Sequence, residues 1–165
     1  FPDAEQPVTF DNTARAIAAF ERTLRSESRF DDFMRGDLDA LSEQEVSGLD
    51  KFIEVNCVSC HDGPLVGGGL FETLGVYQDY PNQEDQGLYE VTGKEDDRMK
   101  FKVAPLRNVA LTGPYYHDGR VSDLSQVVKE MAAMQLNAEL SDEDAADIVA
   151  FLKALTGKEL ESQLD

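Results

Sequence analysis

The sequence predicts a mainly α-helical domain with long irregular connections and room for one short hairpin. Three observations carry that prediction. Four segments place apolar residues at helical spacing behind start signals. The stretch from 62 to 120 holds most of the glycines and four of the six prolines, with little periodicity. The chain is 165 residues long and 41% apolar, enough for one hydrophobic core without covalent staples.

The elements follow in order. Residues 1–8, with Asp3-Ala4-Glu5-Gln6-Pro7, read as an extended linker from something preceding them; the domain proper is expected over 9–160, with 161–165 as a tail. Asp11-Asn12 open a first helix, whose stripe is Ala14, Ile17, Ala18, Phe20 and Leu24. Ser42-Glu43-Gln44-Glu45 is a capping box, flanked by Leu41 and Val46 as a hydrophobic staple. The helix behind it is expected to bury Val46, Leu49, Phe52 and Ile53 and to end just before Cys57. A third helix starts near Ser122, with Leu124, Val127, Val128 and Met131 inward and Met134 close to the same stripe. Ser141-Asp142-Glu143-Asp144 open the last helix, their acids matched to its positive end, and Ile148, Val149, Leu152 and Leu155 run toward a stop at Gly157. Short strands are expected around 74–77 and 88–91. No internal repeat is visible.

Composition excludes several functions. The chain carries 15 Lys and Arg against 33 Asp and Glu, a net charge of −18, so no broad phosphate-neutralising face for nucleic acid exists. The same surplus disfavours anionic lipid. No apolar run approaches the roughly 20 residues of a spanning helix.

Both cysteines lie in Cys57-Val58-Ser59-Cys60-His61. A disulfide there would close a trivially small loop. A thioredoxin-type dithiol follows a strand and opens a helix, whereas this motif ends a helix and runs into Asp62-Gly63-Pro64. A structural zinc site needs four ligands, and the chain's only other histidine, His117, is remote. The reading that remains is haem c: thioethers from Cys57 and Cys60, and iron ligation by His61. Haem attachment of this kind belongs outside the cytoplasm, so a periplasmic protein is expected, its sequence that of a mature or trimmed product. A buried haem also accounts for the long aperiodic stretch, because a cofactor can organise what side-chain periodicity does not.

The opposite face of the iron decides the chemistry: a thioether there favours electron transfer and leaves no open position. Met34, in polar surroundings, reads as surface or peripheral core. Met99, between Arg98 and Lys100, reads as exposed. His117 sits in a turn and is expected to hydrogen-bond. Met131 and Met134 share a helix, and the inward stripe favours Met131. Residues 94–107 hold five cations against three acids. Within them Arg107, in apolar company, is the candidate partner of a haem propionate.

Several ordered blocks make the chain resemble the carboxy-terminal half of the bacterial dihaem cytochrome c peroxidases, the family that includes the methylamine-utilisation dihaem enzyme. They are Ala16-Ile17-Ala18-Ala19-Phe20-Glu21-Arg22-Thr23, Leu41-Ser42-Glu43-Gln44-Glu45, the cysteine motif, the run from Ala104 to Gly119, and Ile148-Val149-Ala150-Phe151-Leu152. The resemblance spans about Val8 to Lys158. It implies a class-I cytochrome c-like helical domain wrapped round one covalently bound haem, high in potential and ligated by His61 and Met131. The methylamine-utilisation relative has tyrosine in place of that methionine. The resemblance further implies a peroxidatic haem domain as partner and a small cytochrome or cupredoxin as electron donor. It implies calcium between the halves, held partly by the backbone carbonyls of Thr112 and Pro114. The chain departs from the full enzyme in having a single haem motif and no tryptophan. By itself it therefore lacks the peroxidatic site, and a stand-alone monohaem carrier is the alternative. A monohaem peroxidase in which Met131 dissociates is a third reading.

Overall fold

Helix α3 (Glu43–Glu54) and helix α6 (Asp142–Lys153) cross more closely than side chains normally allow. Gly48 makes this possible, since a Cβ there would lie 1.9 Å from the Asp147 carbonyl oxygen and 3.0 Å from the Phe151 Cβ. The Asp147 carboxylate ties the crossing from outside, accepting from Ser47 Oγ at 2.8 Å and Gln44 Nε2 at 3.0 Å. Below it lies the main core of Phe52, Val66, Val109, Ile148, Phe151, Leu152 and Leu155. Phe30 of α2 (Arg29–Met34) meets Phe151 edge-on, with ring centroids 5.4 Å apart. The computed structural model describes residue 1 and residues 5–164; the linker expected at 1–8 and the tail at 161–165 fall partly outside them.

Start signals act largely as read. Ser42 Oγ accepts from the Glu45 backbone N–H, and Glu45 Oε2 accepts from Ser42 N–H at 2.8 Å, closing the capping box. Ser141 caps α6 through the Asp144 N–H. Helix α5 (Leu124–Leu136) is capped by Asp123 rather than Ser122 and ends at Asn137 in the left-handed region. Helix α1 (Phe10–Glu21) is capped by Thr9, which puts Asp11-Asn12 inside its first turn. Not one residue of α1 is buried, contrary to its apolar stripe, and Ile53 on α3 is exposed as well.

The strands differ from expectation. β1 (Phe71–Thr73) pairs antiparallel with β2 (Lys100–Lys102), with Glu72 opposite Phe101. The segment expected as a strand near 88–91 begins α4 (Tyr89–Thr92) instead. The segment near 74–77 is claimed by the end of α5: Gln135 Oε1 accepts from Gly75 N–H at 2.6 Å, and Met134 O accepts from Tyr77 N–H at 2.8 Å. Short apolar runs cannot reveal such competition, because the competing partner is tens of residues away. Around β1 and β2 the long stretch closes on itself through Gly68 N–H to Val103 O and Val103 N–H to Leu70 O. A second cluster of Tyr80, Met99 and Met134, with Leu74, Phe101 and Tyr116 against it, fills its interior.

Gly48→Ala is expected to force α3 and α6 apart and cost about 2–3 kcal/mol, an overpacking penalty against unyielding backbone. Gly69→Ala, with nothing within 4 Å of the added Cβ, is expected to change stability by less than about 0.5 kcal/mol. Urea unfolding of the two variants checks the pair.

Candidate functional site

Helix α3 delivers the cysteine motif. Asn56, at φ 74°, ends the helix, and Cys57–Ser59 form a 3-10 turn in which the Cys57 carbonyl accepts from both Cys60 and His61 N–H groups. Both thiols are free and half-buried. Burial pushes the Cys57 thiol up to about 11. A redox dithiol needs the opposite shift, toward the thiolate. Among the described residues no group of three or more His, Cys, Asp or Glu side chains comes together, so a structural zinc site is not assembled either.

His61 is oriented by backbone. Its Nδ1 lies 3.1 Å from the Ala104 carbonyl oxygen, an acceptor only, which places the ring proton on Nδ1 and the lone pair on Nε2. Burial lowers its pKa below the ordinary imidazole value and keeps the ring neutral. Gly67 packs into this contact: at φ 124°, its Cβ would sit 2.3 Å from Ala104 O and 3.0 Å from His61 Nδ1. A neutral imidazole held by a second-shell carbonyl, with its far nitrogen available, is what a metal ligand requires. The donor set therefore suits haem c: two free thiols, an oriented imidazole and a thioether on α5.

The two methionines of α5 differ in their packing. Helix α5 gives Leu124 and Val128 to the main core and Met134 to the second cluster, and Met131 between them belongs to neither. It is half-buried, whereas Met134 is buried and engaged in packing. The other candidates separate cleanly. Met34 is exposed, as read. Met99 is buried against Tyr80 and Met134, contrary to expectation, because its charged neighbours turn outward: Arg98 to Glu95 and the Tyr89 ring, Lys100 to Asp97. His117 has a stacking role rather than the expected hydrogen bond; its ring lies parallel to Phe101, 4.1 Å between centroids.

Arg107 has the partner that its apolar surroundings demand, and that partner is in the chain itself. Its guanidinium forms a two-pronged pair with Asp31, at 2.8 and 2.6 Å, and donates from Nε to Pro64 O. The Ser28 N–H also donates to Asp31. These bonds, the Arg107 one foremost, hold the Asp31 carboxyl well below the usual carboxylate range. Thr112 and Pro114 are exposed, on the turn before His117.

One network left no local trace in the sequence. Tyr80, fully buried, donates to Asp118 at 2.7 Å and accepts from Arg120 Nε at 3.1 Å; Arg120 pairs with Glu130, which also accepts from Tyr116 at 3.0 Å. Burial and the Asp118 carboxylate push the Tyr80 hydroxyl up to about 12. The network joins the long stretch to α5 one residue from Met131.

Comparison with known proteins extends these findings. A family model described as di-haem cytochrome c peroxidase matches residues 1–39. The chain is 44% identical over 159 residues to the cytochrome c551 peroxidase of Nitrosomonas europaea, covering 95% of this chain and 48% of that protein. It is 42% identical to the Pseudomonas aeruginosa protein of the same name, over 96% of this chain and 47% of that one. The chain thus spans about half the length of the curated relatives it matches. A crystal structure of a MauG-like protein associated with microbial copper homeostasis superposes with a TM-score of 0.74 at 30% identity, covering 98% of this chain and 57% of that one.

Asp31→Ala leaves the Arg107 guanidinium buried without its partner, and is expected to cost roughly 2–4 kcal/mol at neutral pH. Because the folded carboxyl is held below its ordinary value of 3.8, the pair's contribution is full above that pH and drains away as pH falls below it. Denaturation at pH 7 and at about pH 3 should therefore show the gap between parent and variant narrowing in acid.

Proposed function

Because the chain belongs to the dihaem cytochrome c peroxidase family, we propose that it is the electron-entry half of such an enzyme and carries one covalent haem c. The carrying observation is the oriented His61, its Nδ1 held by the Ala104 carbonyl and its motif shared with two free thiols, together with a methionine that core packing leaves unclaimed. When bound, the haem supplies a one-electron iron couple, and a thioether ligand raises its potential.

The chain's own residues do the rest. Cys57 and Cys60 would hold the group by thioether bonds, each S–H adding across one haem vinyl double bond. Ala104 fixes the His61 tautomer and ring plane, so little reorganises when charge changes. Met131 would supply the thioether that holds the iron together with His61, leaving no open position for peroxide. Arg107, with most of its donors committed to Asp31 and Pro64, acts on a propionate only through a donor left over, and its main role is to tie the α2 region to the long stretch.

Hydrogen peroxide takes up two electrons and two protons to give two waters, and in this reading that reaction belongs to a peroxidatic haem domain outside this chain. Electrons arrive singly from a small cytochrome or cupredoxin, and the net charge of −18 suits a basic donor. Calcium between the halves would use the Thr112 and Pro114 carbonyls. The periplasm is the compartment that fits covalent haem assembly. A relative about twice as long favours this assignment over a stand-alone carrier.

Met131→Ala in the haem-loaded chain is expected to lower the midpoint potential by on the order of 0.1 V or more, within the roughly 0.8 V that axial ligation spans, and to abolish the sulfur-to-iron charge-transfer band. Met134→Ala is expected to cost about 2–5 kcal/mol of stability as a core truncation and to leave both signals intact. The reverse pattern overturns the ligand assignment. The parent chain alone should turn over almost no peroxide; rapid turnover would favour a haem whose methionine lets go.

A further inference from the structure

Helix α1 repeats the sequence of helix α6. Ile17-Ala18-Ala19-Phe20-Glu21-Arg22-Thr23-Leu24 aligns without gaps on Ile148-Val149-Ala150-Phe151-Leu152-Lys153-Ala154-Leu155. Isoleucine, alanine, phenylalanine and leucine recur in place, arginine answers lysine, and each final leucine lies just beyond its helix end. The echo is too short to register as a repeat when only the sequence is read.

The two helices meet opposite fates. Ile148, Phe151 and Leu155 are 1%, 1% and 0% exposed, packed under α3 in the main core. Their counterparts Ile17, Phe20 and Leu24 are 53%, 62% and 65% exposed. An aromatic and two aliphatic side chains at i, i+3 and i+7 thus forfeit most of the burial that their counterparts gain. The packed body of this chain also starts after α1. Phe30 N–H donates to Ala154 O, Lys158 N–H donates to Glu27 O, and Ser28, fully buried, bridges to Gly157. The family model stops soon after this junction, at residue 39, and the relatives carry about as much chain again.

We infer that α1 is the closing helix of the preceding haem domain, packed there as α6 is packed here, against a partner counterpart of α3. This rests on the reading of the chain as half of a dihaem protein. It moves the domain boundary from residue 9 to about Ser26, so α1 and the hooked segment Glu27–Phe30 couple the two domains mechanically. Glu21 stands where Leu152 is buried, so the partner surface is apolar over the Ile17, Phe20 and Leu24 line and open to water beside it.

The test uses the full-length protein purified with its haems. A pyridine haemochrome count of two supports the underlying reading, and a count of one overturns it. With two haems present, hydrogen exchange should show α1 protected by about a hundredfold or more over an unstructured chain. The double variant Ile17→Asp/Phe20→Asp should lose about tenfold or more of that protection in α1 and in the amino-terminal domain, while residues 43–54 and 142–153 keep theirs. Phe20→Ala, a milder truncation, should give the same pattern in smaller measure if the double variant does not fold. Protection lost from 43–54 and 142–153 instead places α1 on this domain and overturns the inference. Unchanged exchange everywhere leaves α1 solvated and overturns it, and α1 protection that rises with protein concentration assigns the face to a second copy and overturns it as well.

Discussion

The close crossing of α3 over α6 at Gly48 is the constraint from which the rest of the molecule takes its position. Helices ordinarily stay 8–10 Å apart because side chains interpose. Here backbone approaches backbone, and a single missing Cβ permits it. With α3 fixed on α6, its last turn fixes Cys57, and the 3-10 turn carries His61 to a set distance from the helix end. Phe52 lies near the His61 ring and against Phe151, so the crossing, the core and the site share the same aromatic side chains.

The long irregular stretch is held by polar tethers rather than by periodic burial. Ala104 O receives His61, Gln135 receives Gly75 and donates to Thr73, and Tyr80 joins Asp118, Arg120 and Glu130. Each tether satisfies buried or half-buried polar groups that would otherwise cost free energy. Each also links segments far apart in the chain, which keeps the two prospective axial ligands, His61 and Met131, on elements that cannot drift independently. The pair between Arg107 and Asp31 adds a charged rivet between α2 and the same stretch.

Local chemistry was readable wherever cause and effect lie within a few residues. The capping box at Ser42, the cap at Ser141 and the exposure of Met34 follow from nearest neighbours. So does the end of α3 before Cys57. Reading failed where a distant partner decided. Met99 looked exposed between two cations, yet both turn outward while the sulfur enters the second cluster. The segment near 74–77 looked like a strand until Gln135 claimed its amides. The stripe on α1 is apolar as read, yet this chain leaves it uncovered, since periodicity reports which face seeks cover and not what covers it.

By itself the sequence narrowed the cysteine chemistry: two thiols and an imidazole in five residues admit few uses, and the surrounding blocks resemble one family. Its periodicity put Met131 on the inward stripe of α5, whereas the methionine that the fold buries is Met134. Only the tertiary structure decided which nitrogen of His61 is available, because the Ala104 carbonyl that selects the tautomer lies 43 residues on. Only it showed that core packing takes Met134 and leaves Met131 outside both clusters. The reason is the same in both cases: bonding capacity is written in residue types, but its availability depends on what the fold has already spent.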